Sequence, residues 1–549
     1  MKKIYKYLFG LFLVSTLVFT GFKYEDRYFE IAKNLDIFAT LFKELNSLYV
    51  DEINPTKAMN TSITAMLKEL DPYTNFYPED MIEDYRTMNA GKYNGIGATI
   101  ESRFGEHTVV MVYQYSPADK SGMKIGDVVT HINGVSLAGR DSDELGRLLK
   151  GQTGTRAKLT VERFGEKKPL EISVERDVVK TPNVPHYGMI DDEVGYIQLK
   201  DFSATAATEI KAAFEEMEGE GMKKLILDLR GNPGGLLNQA IEICNFFIPK
   251  GELVVETKGK VAQWNKKYLS LRNPVDLEIP IVVMVNSSSA SASEIVSGTL
   301  QDYDRGVIVG QKSFGKGLVQ STRPLTFNTQ LKVTTAKYYI PSGRCIQAID
   351  YSHRNPDGSV GKVPDSLKST FYTKNGRAVY DGGGVDPDIF VEPKELSELT
   401  NQLISEGAIF DFATKYYHEN KNNVPEDGFI VSDQLYQQFL AFTEAQGFNY
   451  VNDAEQALSD LEGIAETEKG YNEFGTELST LRQKLNSKKK ADFQTFKEEI
   501  KDELALEILS RYHYDKVMKF VSFEKDAEVQ ESLKILKDTD RYRSILKGK

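Results

Sequence analysis

Ile279-Pro-Ile-Val-Val-Met-Val-Asn-Ser-Ser-Ser-Ala-Ser-Ala-Ser-Glu-Ile295 changes character halfway along. From Ile279 to Val285 it is a nearly continuous apolar run of strand length. Small polar residues follow from Asn286, and a helical spacing sets in from about Ser291 to Tyr303. The same order of strand and helix recurs upstream. Lys224–Leu229 reads as a buried strand, followed by a glycine loop and a helix over Leu236–Phe247. Val194–Leu199 reads as another strand, with a helix over Thr205–Glu218 behind it. Alternation of this kind predicts α/β layers across residues 190–396.

Residues 87–180 have a different texture, with short β-rich segments between glycine turns. Ala98–Ile100, His107–Tyr113 and Lys158–Arg163 read as strands. Residues 24–86 instead carry apolar side chains at three- and four-residue steps (Ile31, Leu35, Phe38, Phe42, Leu45) and predict helices that stop at Leu70-Asp-Pro-Tyr73. Ahead of them, Lys2, Lys3 and Lys6 precede an apolar run from Tyr7 to Phe22. Residues 1–23 are thus expected to be a signal peptide or an uncleaved membrane anchor, with the rest exported and facing the periplasm. Residues 397–549 are helical in pattern and highly charged, with apolar stripes such as Leu435, Phe439 and Phe442. They predict an accessory helical domain without a catalytic motif. The fold class expected is therefore multidomain α/β: a helical N-terminal segment, a β-rich domain, a layered α/β core and a C-terminal helical domain.

Bulk composition excludes several functions. A net charge of −12 argues against a nucleic-acid partner. With two cysteines, Cys244 and Cys345, no thiol metal site or multi-bridge framework can form, and each is expected as a small buried hydrophobe. The six histidines are scattered without paired spacing, so no metal centre is expected, and no organic cofactor is implied.

The serines at the strand-to-helix turn are well placed for nucleophilic attack, because helix N-terminal amides favour developing negative charge. The competing reading is a helix cap, since Ser291 with Glu294 three residues on is also a capping box. Downstream, Val307–Gln320 reads as a strand, a glycine-flanked lysine and a further strand. If the chain is extended after Gly315, Lys316 and Gln320 share a face. A lysine turned inward has its charged form desolvated, and a neutral lysine can take a proton from a serine hydroxyl. The competing reading there is a surface turn.

Together, Ser289-Ala-Ser-Ala-Ser-Glu294 and Gly315-Lys-Gly-Leu-Val-Gln320 resemble the serine and lysine motifs of the C-terminal processing peptidases, also called tail-specific proteases. The resemblance implies Ser291 as nucleophile, Lys316 as base 25 residues later and Gln320 orienting the lysine, with Ser289 and Ser293 left to structural roles. Leu227-Asp-Leu-Arg-Gly-Asn-Pro-Gly-Gly235 resembles the loop that lends an amide to the oxyanion hole. Gly234 is taken as that donor, with Gly235 the alternative, and the Ala292 amide is the second. Ser116–Gly134 resembles the middle of a PDZ domain, a helix at Ser142–Leu149 would complete its groove, and Gly95, Ile96 and Gly97 would hold a substrate carboxylate. The implied function is an exported serine endopeptidase that captures protein or peptide tails with a free C-terminus. The N-terminal segment offers a membrane contact, and the oligomeric state is open. The rival readings are a catalytically silent PDZ scaffold at the membrane and a dyad esterase for small molecules. Two departures from the family pattern are a long segment from Asp350 to Val379 and the helical tail after Pro393.

Overall fold

The computed structural model describes residues 27–82, 91–425, 428–467, 471–513 and 523–548; the expected leader, residues 1–23, lies outside them. The chain divides into two units, Met1–Glu79 with Thr322–Val333, and Asp80–Ser321 with Thr334–Lys549. In the first, helix α1 runs through residues 27–48 and α2 spans Pro55–Lys68. Asn54 caps α2 by accepting from the Lys57 N–H, and Pro55 occupies the first turn, where its missing donor does no harm. Strand β1 (Asn75–Tyr77) pairs antiparallel with the start of β18 (Gln330–Tyr339), Asn75 opposite Lys332 and Tyr77 opposite Gln330.

The larger unit is built on two sheets. The PDZ-type sheet begins after β2 (Lys92–Gly95) and contains β3 (Ala98–Arg103), β4 (Glu106–Val112), β5 (Val128–Ile132), β6 (Val135–Ser136), β7 (Arg156–Glu162) and β8 (Leu170–Glu175). Its order is β3-β4-β5-β7-β8, with β6 beside β5, so β3 is an edge strand. Helix α3 (Pro117–Lys120) and helix α4 (Ser142–Leu149) lie between strands, and β9 (Asp177–Lys180) returns to pair with β2. Val109, Val129, Leu145, Leu159 and Val174 form the core of this domain.

The second sheet has the order β10-β11-β12-β15-β16-β23. Strand β10 (His186–Met189) is antiparallel to β11 (Val194–Gln198). From there β12 (Lys224–Asp228), β15 (Ile281–Val285), β16 (Val307–Gly310) and β23 (Ile389–Phe390) run parallel. Every residue of β15 is buried, which is why its sequence is an unbroken apolar run: both faces are covered. Ile281, Val283 and Val285 meet α5 (Ala206–Gly219), α6 (Leu237–Phe247) and α7 (Ala292–Asp302) on one face. Val282 and Met284 meet Val529, Ile535, Leu536 and Tyr542 on the other.

Those last residues come from α14 (Ala527–Lys537) and α15 (Thr539–Lys547). The stretch expected as one helical domain therefore serves two cores. Helices α8 (Glu398–Ser405), α9 (Ala408–Glu419), α10 (Asp433–Ala445), α11 (Asp453–Thr467), α12 (Tyr471–Thr495) and α13 (Lys497–His513) form the accessory bundle, with Phe412, Tyr436, Phe439, Leu504 and Ile508 in its core. The last two helices belong with the sheet. The bundle also meets the PDZ-type domain: the Arg103 and Arg511 guanidinium groups lie 3.9 and 4.2 Å from the centre of the Phe410 ring. A third sheet borders the α/β core and sends Val255 and Tyr338 into it. The β13 (Leu253–Gly259) and β14 (Lys266–Leu269) hairpin pairs with β18, which also pairs with β17 (Leu318–Pro324). The long segment after Asp350 forms two small hairpins, β19 (Ile349–Arg354) with β20 (Val360–Lys362) and β21 (Thr370–Tyr372) with β22 (Ala378–Tyr380). Both cysteines are unpaired, and burial pushes the Cys244 thiol up to about 12.

The attachment of α15 to the sheet can be tested. The Ile281 N–H donates to the Tyr542 hydroxyl at 3.0 Å in a buried setting. Tyr542→Phe leaves that amide without a partner and is expected to cost about 1–3 kcal/mol of stability. A thermal melt should show the drop, and an unchanged melt would place α15 outside the folded core.

Candidate functional site

Parallel strands leave their loops at one edge, and the carboxyl ends of such strands are where α/β sheets present chemistry. Here β12, β15 and β16 deliver three loops, residues 229–236, 286–291 and 311–317. They are knitted together. The Gly231 N–H donates to Asn286 Oδ1 (2.9 Å), the Ala290 N–H to the Asn232 carbonyl (3.0 Å), and the Phe314 N–H to the Ser289 carbonyl (3.0 Å).

Ser291 stands at the turn into α7 with φ 55° and ψ −110°, a region a non-glycine residue rarely adopts. Such strain costs of order 1–3 kcal/mol and persists only where surrounding bonds fix it. The Ser291 N–H donates to Glu294 Oε2 at 2.8 Å, and its carbonyl accepts from the Glu294 and Ile295 N–H groups at 2.9 and 3.0 Å. Ser289 and Ser293 are fully buried and engaged elsewhere. The Ser289 hydroxyl donates to the Leu229 carbonyl (2.8 Å) and the Ser293 hydroxyl to the Asn232 carbonyl (3.0 Å). Ser291 is only half-buried.

Lys316 is half-buried as well and sits in the loop before β17, two residues short of the strand in which an extended reading would place it. Two groups join its backbone to that of Ser291. Glu294 Oε2 accepts from the Lys316 N–H (2.9 Å) as it does from Ser291, and the Tyr338 hydroxyl lies between the Ser291 and Lys316 carbonyl oxygens, 3.1 and 2.5 Å away. Glu294 Oε1 accepts from the Gly315 N–H (2.7 Å) and the Ser313 hydroxyl (2.5 Å). Burial pushes the Glu294 carboxyl up to about 7, and the bonds it accepts from Ser313, Lys316, Gly315 and Ser291 oppose that rise. Gln320 extends from β17, where its amide donates to Thr334 Oγ1 of β18 (3.1 Å).

Gly234 has a part that its sequence neighbours did not foretell. Its N–H already donates to Asn232 Oδ1 (2.8 Å). Its φ is +97°, and a Cβ there would stand 2.8 Å from both the Ala292 nitrogen and Ser291 Cβ. Gly234 is therefore needed for close approach to the serine turn. No hydrogen-bond partner is found for the Gly235 and Ala292 N–H groups among the described residues.

The glycine loop of the PDZ-type domain is held by its carbonyls. Ile96, buried, accepts from the Ala118 N–H (2.7 Å), and Gly97 accepts from the Tyr113 N–H and the Ser116 hydroxyl (both 3.0 Å). The ring of Tyr93 folds over the loop, 2.7 Å from where a Cβ on Gly95 would lie. Burial pushes the Tyr93 phenol up to about 12, opposed by the Gly97 N–H directed at its oxygen. Beyond the loop, the outer edge of β3 carries no strand among the described residues.

Glu294, Tyr338 and Asn232 were not singled out as site residues from sequence. Glu294 reads from sequence as part of a capping box, and Tyr338 carries no motif of its own. The one available signal is a carboxylate in the first turn of a helix whose next six residues, Ile295–Leu300, are apolar or small.

Comparison with known proteins follows this layout. Residues 193–360 match peptidase family S41, residues 108–163 match the PDZ domain, and residues 399–536 match the description "probable PDZ-protease, C-terminal helical domain". Sheet, serine turn and peptide-binding module together define a PDZ-bearing serine peptidase. The chain is 34% identical over 358 residues to a carboxy-terminal-processing protease of Bartonella bacilliformis, covering 64% of this chain and 81% of that protein. It is 36% identical over 316 residues to a probable CtpA-like serine protease of Staphylococcus aureus, covering 57% of this chain and 62% of the relative. Among solved structures, a photosystem II D1 C-terminal processing protease aligns with a TM-score of 0.36 and 23% identity, over 66% of this chain and 93% of that one. The chain belongs to the CtpA-like C-terminal processing peptidases of family S41.

The Glu294 ligature gives a prediction with a definite sign. A carboxyl whose folded pKa is raised holds a proton in the native state that the unfolded chain has lost. Its contribution to stability is then present at low pH and is lost as pH rises from about 4.5 to about 7. Glu294→Gln should remove this part of the slope, about 2–4 kcal/mol between pH 4 and pH 8. It should also lower peptidase activity about 10-fold or more, because an amide cannot accept all four donors. Urea unfolding at the two pH values, with a peptide assay alongside, checks both; equal pH slopes in the two proteins would refute the assignment.

Proposed function

We propose that the chain is an exported endopeptidase in which Ser291 attacks the scissile carbonyl and Lys316 accepts its proton and returns it to the leaving amine. The observation that carries this reading is the division of labour among three serines: Ser289 and Ser293 are buried with their hydroxyls tied to carbonyls, while Ser291 stands half-buried at a strained turn. The shared Glu294 and Tyr338 contacts support Lys316 as its partner, since they bind the two backbones to the same two groups. Gln320 is proposed to orient the lysine. For the oxyanion we propose the Ala292 amide with one from the Gly234–Gly235 turn. Gly235 is favoured, because Asn232 competes for the Gly234 N–H.

The PDZ domain supplies peptide binding. We infer that it reads the C-terminus of the substrate, with Gly95, Ile96 and Gly97 facing the carboxylate and the tail added as a strand along β3. Tyr93 would have to swing aside to expose the Gly97 amide. Export rests on the basic and then apolar start of the sequence, whose apolar run also offers an attachment to the membrane.

Ser291→Ala is expected to lower kcat by ~10³ or more. Ser289→Ala and Ser293→Ala should retain activity while losing about 0.5–1.5 kcal/mol of stability, since the Leu229 and Asn232 carbonyls each keep a backbone donor. Wild-type kcat/KM should rise with pH as Lys316 deprotonates, and Lys316→Ala should lack that rise. Digestion of a denatured protein, followed by mass spectrometry and repeated across pH, measures all of these. If Ser289→Ala or Ser293→Ala proves to be the dead variant, or Ser291→Ala keeps full activity, the assignment fails; a wild-type protein that cleaves nothing would leave only a silent PDZ scaffold.

Substrate choice is tested separately. One unstructured peptide is prepared with a free apolar C-terminus, an amidated end and a charged last residue. Cleavage should be fastest for the first, and equal rates would show that the PDZ domain does not read chain ends.

A further inference from the structure

Arg230 lies between β12 and the Gly234–Gly235 turn, and all three nitrogens of its guanidinium group are engaged. Nε donates to Asp228 Oδ1 (3.0 Å). Nη2 donates to Asp228 Oδ2 (2.7 Å) and Asp526 Oδ2 (2.9 Å). Nη1 donates to Asp526 Oδ1 (3.1 Å) and Glu528 Oε2 (3.2 Å). Asp526 is the N-cap of α14, accepting from the Val529 N–H at 3.0 Å, and Glu528 lies in its first turn. The second oxygen of Glu528 accepts from the Gln311 amide (3.0 Å), which also donates to the Val391 carbonyl (2.7 Å). Gln311 opens the loop that leads to Lys316, and its N–H donates to the Val285 carbonyl at the end of β15 (3.0 Å). One helical turn from the far C-terminal part of the chain therefore grips two of the three loops that surround Ser291.

We propose that Asp526 and Glu528 are positioning residues for the peptidase reaction, holding the Gly234–Gly235 turn through Arg230 and the lysine loop through Gln311. This rests on the reading of Ser291 and Lys316 given above. Two carboxylates gripping one planar guanidinium fix its orientation as well as its place, which a lysine could not reproduce. Arg230 is followed at once by Gly231 and Asn232. The Asn232 carbonyl accepts from the Ala290 N–H and the Ser293 hydroxyl on either side of Ser291. A tilt of Arg230 would therefore reach both the oxyanion turn and the serine turn. Asp228 alone could keep the guanidinium charge neutralised, so removing the two C-terminal carboxylates tests geometry rather than an uncompensated buried charge.

The experiment uses the full chain with Asp526→Asn and Glu528→Gln combined, and a quenched unstructured peptide with a free C-terminus. A displacement of about 1 Å at the oxyanion turn predicts a kcat loss of about 10- to 100-fold with KM within about twofold. A peptide boronate, which forms a tetrahedral adduct with the serine, should bind more weakly by the same factor. Binding of the uncleaved peptide to the same variant carrying Ser291→Ala should not change. Glu528→Asp should recover most of the kcat that Glu528→Gln loses. Should the double variant fail to fold, Glu528→Gln alone carries the test, with an expected loss of about threefold or more by the same displacement argument. A kcat and a boronate affinity within twofold of wild type, or a loss that appears only in the melting temperature, overturns the proposal. Activity surviving in Ser291→Ala overturns the underlying dyad reading instead.

Discussion

A single buried carboxylate organises the catalytic end of this protein. Glu294 accepts from the backbones of Ser291, Gly315 and Lys316 and from the Ser313 hydroxyl, so two loops separated along the chain converge on one side chain. Neither loop could hold its conformation alone. Ser291 is strained, and the Gly315–Lys316 turn has no strand of its own until Leu318. The carboxylate also explains why the helix that carries it tolerates a charge in its first turn: every residue of α7 is buried, and four donors replace the water that Glu294 gives up. Tyr338 closes the arrangement from the carbonyl side, so the two residues proposed to react are bound together through their main chains.

Much of this was legible from the order of residues. The strand at 279–285 and the helix starting near 291 could be read because a fully buried parallel strand leaves an unbroken apolar run, and small residues mark the turn that follows. The helix at Ser142–Leu149, expected from the resemblance to a PDZ domain, has the expected bounds, with Asp141 as its N-cap. The serine and lysine stood out only in combination, each having an ordinary structural reading by itself.

What stayed hidden was long-range. Nothing near Val282 or Met284 announces that their face will be covered by Val529, Leu536 and Tyr542, more than 240 residues on. A highly charged helical tail looks the same whether it forms its own bundle or folds back over a sheet, because both need one apolar stripe. Likewise a glycine that permits close approach and a glycine that donates an amide are the same letter. Only the structure shows that the Gly234 N–H is already bonded to Asn232 and that a Cβ there would crowd Ala292.

The covering of the sheet by its most distant helices has a consequence in time. Arg230 and its partner Asp526 are 296 residues apart, and the intervening chain includes the accessory bundle. On a ribosome adding about 5–20 residues each second, the Arg230 loop waits of order 15–60 s for its partner to be made. Once Gln320 has been added, the nascent chain contains the whole serine and lysine motifs but still lacks the turn that grips their loops. The order of synthesis thus gives the protein a delay between acquiring the residues proposed to react and completing the frame around them.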